Sequence, residues 1–114
     1  MLSAVTRFIG RQIIRFLEKP SPDYQPFSIT DPDQLRACLR PGDVLLVEGN
    51  KRISAIIKYL TQSTWSHSAI FVGDALSQFT AEGEPLDLVE ALSEQGVIAS
   101  PLSTYARFNT RICR

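Results

Sequence analysis

One residue dominates the chemistry open to this chain. His67 is its only histidine, set in Trp65-Ser66-His67-Ser68-Ala69-Ile70-Phe71-Val72-Gly73. If that β-branched and aromatic segment is a strand, alternation places His67 on the same face as Trp65, Ala69 and Phe71. An imidazole takes and returns a proton near neutral pH, and its two ring nitrogens let one meet a nucleophile while the other is held by an acceptor. The inert alternative is a strand histidine that is hydrogen-bonded and has no further task. A matching acceptor stands in Leu88-Val89-Glu90-Ala91-Leu92, where Glu90 is the one charge in an apolar strand pattern. A buried carboxylate is costly unless paired, so Glu90 either orients an imidazole or faces water on an edge strand. His67 and Glu90 would supply the base and the orienting group of a nucleophilic site.

The nucleophile is the harder part. Cys113 closes a segment that reads as a strand, where no helix dipole supports a thiolate, although Arg111 and Arg114 are close in sequence. Cys38 falls in the last turn of an expected helix, where the negative end of the dipole disfavours a thiolate and a small buried hydrophobe is the simpler reading. Ser66 and Ser68 flank the base, but strand alternation turns them to the opposite face. The two cysteines form no CxxC pair and have no second Cys or His at zinc-ligand spacing, so neither metal nor cofactor is expected.

Several stretches resemble a known family. They are Leu39-Arg40-Pro41-Gly42-Asp43-Val44-Leu45-Leu46, Ile56-Ile57-Lys58-Tyr59-Leu60-Thr61-Gln62-Ser63, the segment Trp65 to Asp74 around His67, Val89-Glu90-Ala91 and Gly96-Val97. Together these resemble the circularly permuted papain-like thiol hydrolases, the YiiX-like branch of the NlpC-type superfamily, related to the lecithin:retinol acyltransferase group. The similarity covers residues 39 to 113. It implies that His67 is the general base and Glu90 its orienting residue. It also implies a nucleophilic cysteine later in the chain, opening a helix, and no residue here matches it. The expectation is the N-terminal portion of a cysteine hydrolase or acyltransferase of amide, ester or thioester bonds. Its nucleophile would lie downstream of Arg114, so the chain as it stands would be inactive. Peptide, lipid and acylated substrates all fit that chemistry.

These residues need elements to hold them. Leu2, Val5, Phe8, Ile9, Ile13, Phe16 and Leu17 recur at three and four, while Arg7, Arg11, Arg15 and Lys19 keep a strict spacing of four, which predicts an amphipathic helix over residues 2–19. Ser21-Pro22-Asp23-Tyr24-Gln25-Pro26 breaks it, giving a proline-rich linker over residues 21–30, with the domain proper beginning near Phe27. Asp31-Pro32-Asp33-Gln34 reads as a helix start, with Asp31 as N-cap, Pro32 at the first helical position and Gln34 closing a capping box. Pro41-Gly42 stops that helix. Strands are expected over residues 43–48, 65–72, 86–92, 96–99 and 107–113, with a helix over 53–61. This order predicts an α+β domain over residues 31–114, a mostly antiparallel sheet with flanking helices. By the resemblance it is a permuted papain-like fold, incomplete at its C-terminus.

Composition narrows the partners. The chain has 114 residues, with 12 basic against 12 acidic and 44% hydrophobic, which suits a single ordinary core. Zero net charge without a basic, aromatic-laced face argues against nucleic acid. No apolar run approaches the roughly 20 residues of a membrane span, and the cations of the first helix exclude a signal peptide. A cytoplasmic location follows, with peripheral membrane contact through residues 2–19 open beside a helix packed on its own domain. A sheet lacking its downstream cover would expose apolar surface and self-associate. The rival to the enzyme reading is a non-catalytic binding or membrane-peripheral module that uses the basic helix and the sheet groove.

Overall fold

The computed structural model describes residues 2–20 and 31–114. The expected linker and the start near Phe27 lie outside the described residues. Along the chain run α1 (Leu2–Leu17), α2 (Pro32–Cys38), β1 (Val44–Val47), α3 (Arg52–Thr61), β2 (His67–Phe71), β3 (Leu88–Leu92), β4 (Gly96–Ser100), a single 3-10 turn (Leu102–Tyr105) and β5 (Thr110–Cys113). The strands form one five-stranded sheet in the order β4-β3-β2-β1-β5, and every neighbouring pair is antiparallel. The fold is therefore α+β, as the alternation of elements predicts.

The core lies on one face of that sheet. Register sets Leu45 beside both Ala69 and Ile112, and sets Phe71 beside Leu88. Leu45, Val47, Ala69, Phe71 and Leu88 are buried, and α2 and the 3-10 turn cover them with Leu35, Leu39, Leu102 and Tyr105. Burying a leucine of this kind contributes roughly 2 kcal/mol. The opposite face is open: Ile70 is 49% exposed and Val97 is 75% exposed.

Local chemistry explains the boundaries. Asp31 Oδ1 accepts the Asp33 N–H at 3.0 Å and Pro32 opens α2. The capped group belongs to Asp33 rather than Gln34, so a simple cap replaces the expected box. After α2, Gly42 takes φ +94°, a left-handed conformation that glycine adopts without steric cost, and its N–H donates to the Phe71 carbonyl at 2.8 Å. The buried Asp43 carboxylate accepts the Arg40 N–H at 2.9 Å and the Arg114 Nε–H at 3.2 Å. The turn that stops α2 thus aligns β1 against β2.

Some elements differ from expectation. The strand expected over residues 107–113 begins only at Thr110, because the 3-10 turn before it leads into a turn that occupies residues 106–108. β2 starts at His67, two residues later than alternation suggested, and β3 starts at Leu88. α1 ends at Leu17, and it does not pack along the domain: Val5, Phe8, Ile9, Ile13 and Phe16 are each more than half exposed. Its C-terminal end is tied down instead. The Arg52 N–H donates to the Lys19 carbonyl at 2.9 Å, Lys51 pairs with Glu18, and the Arg52 guanidinium sits 4.3 Å over the Phe16 ring. No helix among the described residues is long and apolar enough to cross a membrane.

Candidate active site

His67 opens β2 and pairs with Val47, the last residue of β1, so it stands where the sheet ends. Glu90 lies at the middle of β3 opposite Ala69, two residues along from His67 and on the same face. β3 is an interior strand, between β2 and β4, which removes the water-facing edge alternative for Glu90. The carboxylate is 4% exposed and its Oε1 lies 2.7 Å from His67 Nε2. Sequence alternation and register together bring these two predicted residues into contact.

The second group on Glu90 was not expected. The Tyr105 hydroxyl donates to the same Oε1, and its ring packs against His67 with centroids 5.9 Å apart. Tyr105 arrives on the 3-10 turn, an element too short to leave a periodic pattern. A signal existed nonetheless, because a buried Glu90 needs donors and the chain has only three tyrosines.

Burial is the largest single influence on Glu90 and raises its pKa. The hydrogen bonds of His67, Ser100 and Tyr105, with the charge of His67, outweigh it and leave the carboxyl below its ordinary value. Tyr105 is pushed well up by burial, and then by the negative carboxylate it serves. An ionised carboxylate only accepts, so the proton between the two rests on His67 Nε2. That leaves Nδ1 as the basic nitrogen, and it has no hydrogen-bond partner among the described residues.

The ring borders a cleft of about 440 Å³, bounded by Val47, Ser54, Ile57, Tyr105 and Phe108 and rimmed by Glu18. At the rim Glu18 is held ionised, below the ordinary carboxylate range, first by its bond from Lys51 and then by that from Ser93. A second, more open groove of about 370 Å³ also reaches His67 and includes Trp65, Ser68 and Ala91. Gly49 also lines the cleft. A Cβ there would lie 2.1 Å from Ser54 Oγ, and the Gly49 N–H donates to Ser66 Oγ at 2.9 Å.

None of the weighed nucleophiles meets the base. Cys113 pairs with Val44 at the other end of β1 from Val47, roughly 10 Å along the strand, and alternation sets it on the open face. Cys38 ends α2 beside the same far end, where its carbonyl accepts from Arg114 at 2.8 Å. It is exposed, which corrects the expectation of a buried hydrophobe, because α2 turns only Leu35 fully into the core. Ser68 is exposed within β2, on the opposite face from His67. Ser66 precedes the strand and is occupied with Gly49. No group of three or more His, Cys, Asp or Glu among the described residues is arranged to hold a metal ion.

What the arrangement can do is limited and clear. A carboxylate fixes an imidazole in one tautomer, and the ring borders a cleft able to admit a reacting group. Compared with protein-family models, curated proteins and solved structures, the chain finds no match.

Proposed function

We propose that this chain carries the base half of a cysteine hydrolase or acyltransferase acting on amide, ester or thioester bonds. The observation that supports it is the 2.7 Å contact of His67 Nε2 with a buried, ionised Glu90, which leaves Nδ1 basic at a cleft. In the reaction a thiol gives its proton to Nδ1 as its sulfur bonds to the substrate carbonyl carbon. The imidazolium then protonates the departing amine, alcohol or thiol, and water or an acceptor releases the acyl group from sulfur. Glu90 stabilises the imidazolium throughout, and Tyr105 holds Glu90. The thiol is a cysteine other than Cys38 and Cys113, opening a helix as in the family that residues 39 to 113 resemble. Peptide, lipid and acylated compounds are the substrate classes.

The distance of Cys38 and Cys113 from His67 favours a second reading, a binding module that keeps the cleft without the chemistry. Intact mass and iodoacetamide labelling of the polypeptide isolated from its native source separate the two. The enzyme reading expects a thiol other than these two whose alkylation slows about tenfold or more in His67→Ala, as a thiolate loses its partner. A native polypeptide with no His67-dependent thiol overturns it in favour of the binding module.

A further inference from the structure

α1 presents two apolar stripes, and the fold uses one of them. Gly10, Ile14 and Leu17, at steps of four and three, are the half-buried positions of the helix. Val5, Ile9, Ile13 and Phe16 form a separate stripe, and with Phe8 they are 51% to 64% exposed. Arg7, Arg11 and Arg15 are exposed on the remaining polar side, and no acid precedes Glu18. Because the whole chain is formally neutral, this positive helix leaves the rest of the molecule net negative.

We propose that α1 lies along an anionic lipid surface, with Val5, Phe8, Ile9, Ile13 and Phe16 immersed and the charges of Arg7, Arg11 and Arg15 drawing the helix to it. Charge complementarity selects this occupant. A helix with an apolar face and a purely cationic polar face gains from burial and from attraction to acidic headgroups together. Arg15 flanks the stripe beside Phe8, where its stem reaches the headgroups, and Arg11 and Arg7, farther round the helix, add longer-range attraction. Pairing the same stripe with that of a second copy would leave Arg7, Arg11 and Arg15 on the outer side with no acid on α1 to answer them, so charge adds nothing to that pairing. The end of α1 is fixed to the cleft rim, since Glu18 bonds both Lys51 and Ser93. Docking therefore holds the rim close to the bilayer. The inference stands apart from the thiol chemistry, because it uses none of the residues that touch His67.

Vesicle flotation of the full chain tests it, with phosphatidylcholine vesicles compared against the same lipid containing about one third phosphatidylserine. The chain is expected to float with the anionic vesicles and to bind neutral ones at least about tenfold less, with attraction lost in high salt. Arg7, Arg11 and Arg15 replaced together by Gln lower affinity by about two orders of magnitude, and Phe8→Ser with Ile13→Ser by at least about tenfold. These side chains are exposed, so circular dichroism and melting should match the parent and separate lost docking from lost folding. His67→Ala floats like the parent, which keeps the result independent of catalysis. Failure to float, equal binding to neutral and anionic vesicles, or a concentration-dependent dimer abolished by Ile13→Ser without flotation would each overturn the proposal.

Discussion

Glu90 receives His67 and Tyr105 on one oxygen while buried, and with Ser100 these donors maintain its charge. Its folded pKa lies below the unfolded value, so its contribution is complete above the ordinary carboxylate range and is lost as pH falls through the folded value. Urea unfolding should therefore show stability declining below about pH 4.5, a decline reduced in Glu90→Gln. Tyr105 has the opposite sign. Its folded pKa is raised, so its contribution is complete below about pH 10 and is lost as pH rises beyond it; Tyr105→Phe removes this alkaline component. At neutral pH the same substitution should cost about 2 kcal/mol, by leaving a charged acceptor short of a donor. His67 and Glu90 were legible in the sequence because each is an isolated polar residue in an apolar alternation. Tyr105 was not, since its role is set by where a 3-10 turn places it.

At the scale of elements, α2 is held by more than its apolar face. Arg36 Nε–H donates to the buried Asp87 at 2.9 Å, and its guanidinium also pairs with Asp33 and Glu84. Glu84 in turn accepts from the backbone and hydroxyl of Ser103, so α2, the approach to β3 and the 3-10 turn share one polar clamp. Arg36→Ala should destabilise by about 3 kcal/mol, because it strands Asp87 in the interior, and Arg36→Ala with Asp87→Asn should recover part of that loss. Equilibrium denaturation of the single and double variants reads the coupling. Gly49→Ala tests the junction of β1 with α3: the added methyl meets Ser54, and the melting temperature should fall, with relief in Gly49→Ala combined with Ser54→Gly. The helices and strands with clean periods of four and two were readable from sequence. The late start of β5 and the projecting α1 were not, because apolar spacing marks which face is greasy and not what covers it.

The whole molecule is a one-sided sheet. α2 and the 3-10 turn cover the face with Leu45 and Leu88, whereas Ile70 and Val97 look outward. Ile70→Thr with Val97→Lys should change stability by less than about 0.5 kcal/mol and raise the concentration at which the chain begins to associate, measured by light scattering. The fold class was visible from the order of elements, but the bareness of this face was not, since alternating Val and Ala suit either side of a sheet. The strand order has a further consequence in time. β1 to β4 are neighbours in the order in which they are synthesised, whereas β5 joins β1, the first strand made. On the ribosome β1 to β4 can pair while β1 still presents a bare margin, and that margin is closed only when β5 emerges after them.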